Sequence, residues 1–344
     1  MTGYIKTEKY SAKMRQRIVR PAQRQLLISR IAGSVQEKDM TLPPNCGGLG
    51  RIRHFYKGSG GEGWPATPLP IVPALSSLGR EQSDSLTAEV FQNAGCNWRC
   101  WYCFVPFELL DGREAHGEWV NAGELVDRYI AEPDATRPAM IVLSGGQPDL
   151  CPEWVPWTME ALRARNLEGK VYLWSDDNLS TDYFWTYLTE EQRILVATFK
   201  GYGRVACFKG FDNESFAFNT GAAPKLFDQQ FDLFARLLAT GVDLYAYVTL
   251  TGPSVHNIDD RVARFVDRLQ SVHPNLPLRT APLRVVTFGV VGERLRGPLV
   301  RIRDDAERAT EEVQVRAIAA WMRELEARFD GEARATPIDR VTIR

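Results

Sequence analysis

The sequence predicts an α/β protein built as a partial (βα)6 barrel, and three observations carry that prediction. From Ser85 onward short apolar strand signals alternate with amphipathic helix signals, the pattern of parallel βα units rather than of a bundle or a sandwich. The polar and reactive clusters fall just after the strand candidates, where barrels of this kind gather their reactive groups. The chain has 344 residues, 44% of them apolar, enough for one large domain with an appendage or for two modest domains.

Residues 1–84 read as a basic N-terminal extension. One helix is expected over residues 20–35, followed by LPPNCGGLGRIRHFYKGSGGEGWPATPLP, whose many Pro and Gly read as an ordered wrap or a flexible loop. Cys46 and His54 within it read as incidental rather than as ligands. Residues 1–60 hold 12 Lys and Arg against 3 Asp and Glu, so the formal net charge of −1 leaves −10 on the remainder. Such a segment can meet nucleic acid or an acidic partner. No aromatic-rich or Gly-rich RNA-binding signature accompanies the charge, so nucleic acid is not the favoured partner. No apolar run approaches the length that crosses a bilayer and the N-terminus lacks an apolar signal region, so a cytoplasmic protein with no membrane partner is expected.

Residues 85–290 hold the barrel. Its first strand, SLTAEVFQN, runs into a cysteine loop, and the helix over 122–132 carries Leu125, Val126, Tyr129 and Ile130 on one face. The apolar run 140–143 suits a strand buried on both faces, and Gly145 and Gly146 after it let the backbone approach a ligand closely. A helix over 153–165 leads to KVYLW, which ends in Ser175, Asp176, Asp177 and Asn178. Helical signals fill 181–188, the fourth strand RVACFKG ends near Lys209, and a helix covers 224–240. VDLYAYVTL, a helix over 257–272 and a sixth strand near LRVVTFG close the set. Residues 291–344 form a C-terminal helical segment, with one long helix over 304–329.

The stretch FQNAGCNWRCWYCFVP places Cys96, Cys100 and Cys103 within eight residues, spaced Cys-x3-Cys-x2-Cys. Three thiolates on a short loop suit an iron-sulfur cluster, each taking one corner iron and leaving a fourth iron open to a small molecule. A structural zinc site would want a second Cys or Cys/His pair, which the chain lacks. Six cysteines in so long a chain without a secretory signal argue against disulfides.

CNWRCWYC resembles the signature of radical S-adenosylmethionine (radical SAM) enzymes, including the aromatic Tyr102 before the last cysteine. The resemblance implies a TIM-type barrel of the radical SAM kind, a 4Fe-4S cluster on Cys96, Cys100 and Cys103, and S-adenosyl-L-methionine chelated by the open iron. It also implies reductive cleavage to a 5'-deoxyadenosyl radical that abstracts hydrogen, a one-electron donor such as flavodoxin or ferredoxin, and a Tyr102 backbone lying against adenine. SGGQP resembles the GGEP motif of that family, so Gly145, Gly146 and Gln147 are expected at the methionyl amino group. Gln147 replaces the usual Glu, keeping an acceptor but removing a charge.

CFKGFDNESFAFNTG resembles the Leu-Lys-x-x-Asp…Thr-Gly segment of glycyl-radical-enzyme activating enzymes, with Lys209, Asp212, Thr220 and Gly221 matching. YLWSDDN resembles their third-strand end, which places Asp176 and Asp177 near the cofactor, and YAYVTLTGP resembles their fifth strand. Read from the residues alone, Asp176 and Asp177 equally suit helix N-cap chemistry, Lys209 and Asp212 a surface ion pair, and Cys151 and Cys207 core packing. The activating enzymes act on a backbone glycine of a partner, so a protein or peptide substrate is the leading expectation. A radical enzyme acting on a small molecule or nucleobase is the alternative. A non-catalytic metal-binding module is the third reading, disfavoured because such a module has no need of the Gly-Gly turn.

Overall fold

Six short apolar runs, each too hydrophobic to leave a face in water, lie side by side as parallel strands of one sheet. The structure is a computed structural model that describes residues 3–58, 63–287, 289–296 and 305–343. The chain begins with α1 (Thr7–Ile18), β1 (Val19–Arg20), β2 (Gln25–Ser29), β3 (Gly50–Tyr56) and α2 (Ile71–Ser77). Next come β4 (Ser85–Gln92), β5 (Gly117–Asn121), α3 (Ala122–Ala131), β6 (Met140–Ser144), α4 (Trp154–Ala164) and β7 (Tyr172–Asp177). They are followed by α5 (Tyr183–Tyr187), α6 (Glu190–Thr198), β8 (Tyr202–Phe208), α7 (Asn213–Thr220), α8 (Leu226–Leu238) and β9 (Leu244–Thr249). The last elements are α9 (Ile258–Val272), β10 (Thr280–Leu283), α10 (Gly289–Arg296), α11 (Asp305–Arg328) and α12 (Gly331–Ala335).

The large sheet runs β10-β9-β8-β7-β6-β4-β3, with β3 antiparallel to β4 and all the others parallel. A small antiparallel sheet, β1-β2-β5, stands beside it. Local sequence fixes some of the helix starts. Asn121 and Glu124 form a reciprocal capping box at α3, with both hydrogen bonds at 2.9 Å, and Thr189 and Gln192 do the same at α6.

Alternation along the strands sorts two cores. Phe91, Ile141, Leu143, Leu173, Phe208 and Val248 face the helices in the larger core, where Phe265 of α9 meets Phe208 edge-on, Phe231 of α8 lies tilted against it, and Phe227 meets Phe231 edge-on. Val90, Val142, Trp174, Val205 and Tyr245 face the other way and pack with Leu69, Ala74 and Ile338. That inner packing fills only the lower part of the concave side. Trp174 crosses its neighbour at Gly203, where an added Cβ would come within 2.9 Å of the indole. The upper part, at the C-terminal strand ends, stays open as a cavity.

Three sequence expectations are corrected. The helix expected over 20–35 is absent: α1 ends at Ile18, Pro21 cannot continue a helix, and Gln25–Ser29 pairs instead with β5. The breaker-rich run expected to be irregular contains β3, seven residues registered against β4 from Gly50–Phe91 to Tyr56–Ser85. The sixth parallel strand lies at Thr280–Leu283, earlier than expected. Its Pro282 is tolerated because β10 is an edge strand, while Val285 leaves the sheet and donates its N–H to Gln314 Oε1 at 2.6 Å. Among the described residues no helix is long and apolar enough to cross a membrane.

Candidate functional site

A cavity of about 520 Å³ opens at the C-terminal ends of the parallel strands. Its wall brings together Cys96, Cys100, Tyr102, Cys103, Gly145, Gly146, Gln147, Asp176, Asp177 and Lys209, every site residue expected from the sequence. They come from four strand ends that are far apart in the chain, after β4, β6 and β8 and at the end of β7, and the parallel sheet sets them side by side.

The cysteine loop leaves β4 and is tied down on all sides. Asn97 donates to Ser11 Oγ of α1 at 2.8 Å and to Ser180 Oγ at 2.7 Å, and its Oδ1 accepts from Asn178 at 3.1 Å. Arg99 and Trp101 donate their backbone N–H groups to the carbonyls of Thr220 and Asn219, both at 3.2 Å. Arg99 turns its guanidinium onto the Cys96 carbonyl at 2.8 Å, and Arg294 of α10 donates to the carbonyls of Trp101, Cys103 and Val105. All three cysteines are free thiols. Burial pushes the Cys96 thiol up and that of Cys100 up to about 12, so metal binding here would release protons.

Among the described residues no group of three or more His, Cys, Asp or Glu is placed to hold a metal ion. Three cysteines of one loop at the cavity wall are the donor set that a cluster takes, with a separate iron for each thiolate.

Beside the loop, the turn after β6 is pressed against the same backbone. A Cβ on Gly146, whose φ is +98°, would lie 2.6 Å from the carbonyl oxygens of both Asn93 and Gly95. Gln147 closes the turn. Its N–H donates to the Gly95 carbonyl at 2.8 Å, its Nε2 to Asp177 Oδ1 at 2.7 Å, and its Oε1 accepts from Asn178 N–H at 2.9 Å. An amide donates and accepts in this way at any pH; an ionised Glu would set a carboxylate against Asp177. The departure from Glu at this position thus has a structural cause.

Neighbouring Asp176 and Asp177 face opposite sides of β7. Asp177 and Asp149 both pair with Arg204 at 2.7 Å, and Asp177 also accepts from Leu179 N–H at 2.8 Å. Asp176 points into the cavity, accepts from Ser144 Oγ, and is pushed up in pKa by burial. Lys209 lies in the cavity next to the Cys207 thiol rather than in a surface pair, and burial pushes that thiol up to about 12. Asp212 is elsewhere: it caps α7, accepting from Ser215 N–H at 2.8 Å, and pairs with Arg261. Tyr102 meets Thr249 through a hydroxyl contact of 3.1 Å.

Sequence reasoning missed Asn97, Arg99, Asn219 and Arg294, which hold the loop, and Arg51 and Arg53, which line the cavity from β3. The signal for the last pair was present in the period-2 run Arg51-Ile52-Arg53-His54-Phe55, masked by flanking glycines.

No protein-family profile and no curated protein matches the chain. Among solved structures it is similar to Streptococcus suis SuiB bound to S-adenosylmethionine, with 16% identity over 54% of this chain and 37% of that one, TM-score 0.38. It is also similar to TsrM from Kitasatospora setae, a radical S-adenosylmethionine methyltransferase with cobalamin and a [4Fe-4S] cluster bound, with 16% identity over 54% and 34%, TM-score 0.37. A spore photoproduct lyase variant with bound AdoMet and dinucleoside spore photoproduct matches at 10% identity over 69% and 73%, TM-score 0.41. The chain thus spans about a third of the length of SuiB and TsrM.

Proposed function

We propose that this chain is a radical SAM enzyme in which Cys96, Cys100 and Cys103 hold a 4Fe-4S cluster and the adjoining cavity holds S-adenosyl-L-methionine. One observation carries the reading: three thiols of one loop and a Gly-Gly turn packed on that loop meet at the mouth of a single cavity at the strand ends. When bound, the cluster supplies the electron that cleaves the cofactor to a 5'-deoxyadenosyl radical, which takes hydrogen from the substrate.

The protein's residues position and shield. Gly145 and Gly146 let the turn pack tightly on Gln92 and on the cysteine-loop backbone, so that its backbone reaches the cavity wall where a ligand's amino group would lie, and the Tyr102 backbone offers a platform for adenine. Asp176 and Lys209 supply one acid and one cation to the cofactor. Gln147 and Asp177 act as positioning residues, since their side chains are spent on each other and on Arg204. Trp174, Phe104 and Tyr247 give the cavity an apolar wall that keeps stray hydrogen donors away. In this reading residues 85–290 are the partial (βα)6 barrel, residues 1–84 a basic extension that lends it an edge strand, and a flavodoxin or ferredoxin brings the electron.

The test is anaerobic reconstitution, dithionite and S-adenosylmethionine, with 5'-deoxyadenosine as the readout. Wild type should form it, and a Cys96→Ala, Cys100→Ala, Cys103→Ala variant should not. A wild type that assembles a cluster yet never cleaves the cofactor would sink the reading.

A further inference from the structure

We propose that Arg51 and Arg53 form an anion subsite in the cavity wall, which takes the carboxylate or phosphate of a small-molecule substrate. Both residues are on β3, where antiparallel pairing sets Arg51 opposite Val90 and Arg53 opposite Ala88. Val90 and Ala88 belong to the inner core, so the two arginines face inward while Ile52 and His54 face out.

Arg51 is partly exposed as a residue, yet its Nε and Nη2 are shut off from solvent with no hydrogen-bond partner. Among the described residues neither Arg51 nor Arg53 forms an ion pair. A buried guanidinium without a partner costs stability, and such a group persists at a site where something else completes it. Burial and the adjacent Arg53 push the Arg51 pKa down to about 9.

The cavity's charges leave room for an anion. Asp177 is paired with Arg204 and Arg284 with Glu311, and Asp176 and Lys209 offset each other, so Arg51 and Arg53 stand against Asp39 alone. Guanidinium forks match the planar oxygen pairs of carboxylate and phosphate. The Phe104 ring lies 5.2 Å from the Arg51 guanidinium and 6.0 Å from that of Arg53, and Phe104 follows Cys103 in the chain. An anion held there therefore sits against the cysteine loop.

Only the fate of the bound substrate rests on the radical SAM reading; the binding does not. The full-length chain, both as purified and reconstituted with saturating S-adenosylmethionine, would be titrated with inorganic phosphate and separately with malonate at constant ionic strength. Trp174 in the cavity wall gives a fluorescence readout. One of the two anions should bind saturably to wild type and about tenfold more weakly to Arg51→Met and to Arg53→Met, with cofactor affinity unchanged within about threefold. No saturable binding of either anion to wild type, or a parallel loss of cofactor affinity, would overturn the proposal; the latter would assign the arginines to the cofactor carboxylate. A second measurement is thermal melting without ligand, in which Arg51→Met should melt above wild type. A lower melting temperature would mark Arg51 as a structural residue and overturn the subsite. Failure of the radical reading would show separately, as absent 5'-deoxyadenosine with anion binding intact.

Discussion

Arg204 and Arg51 are both arginines of the main sheet, buried at the guanidinium, and their surroundings are opposite. Arg204 faces the outer, helix-covered side of β8 between Asp149 and Asp177, each at 2.7 Å, with its Nε left over. Arg51 faces the inner side from β3, with two nitrogens left unpartnered. The outer network joins the turns after β6 and β7 and so fixes the shape of the cavity mouth. The inner one is incomplete as the protein stands. Buried charge on one side holds the frame and on the other awaits a ligand, and each prediction below breaks or sharpens that difference.

The largest effect is expected at the frame. Arg204→Met would leave Asp149 and Asp177 buried together without their cation, which costs about 3–5 kcal/mol of unfolding free energy in denaturant titrations. Burial already pushes Asp149 up to about 7 with Arg204 present. A loss below about 1 kcal/mol would mean the pair is no lock.

Glu89 sharpens the comparison because it is a buried carboxylate only half satisfied. Asn45 Nδ2 donates to its Oε2 at 2.5 Å while Oε1 has no partner, and burial raises its pKa from 4.5 to about 7. The folded state therefore keeps a proton that the unfolded state releases above about pH 4.5, so this group's contribution falls as pH rises and is fully lost above about pH 7, by roughly 3 kcal/mol. Glu89→Gln should flatten that limb of a stability–pH curve. An unchanged slope would refute the assignment.

Gln147→Glu tests the closing of the turn. Setting a carboxylate against Asp177 should cost about 1–3 kcal/mol, less in acid where the new group keeps its proton. A variant as stable as wild type at pH 8 would show that Gln147 is no obligate amide. Smallest is Thr249→Val, which removes the Tyr102 hydroxyl contact and should cost about 1 kcal/mol in melting experiments.

The cysteine loop, the Gly-Gly turn, Asp176 and Lys209 were legible because parallel strands gather their ends whatever the intervening sequence. The rest depended on pairing at a distance. Gln25–Ser29 is a strand because β5, some ninety residues later, offers it an edge. The period-2 run gives Arg51 and Arg53 one strand face, but they join the cavity because β3 lies antiparallel to β4, a pairing that the run does not state. Adjacent Asp176 and Asp177 both line the cavity and read as one pair, yet strand alternation leaves the first turned into it and ties the second to Arg204.

The most direct test of the central claim is the electron paramagnetic resonance spectrum of the reconstituted, dithionite-reduced chain with and without S-adenosylmethionine. The account predicts about four iron and four sulfide per chain and a reduced-cluster signal that changes shape when the cofactor is added. Stoichiometric zinc in place of iron, or a signal indifferent to the cofactor, would contradict it.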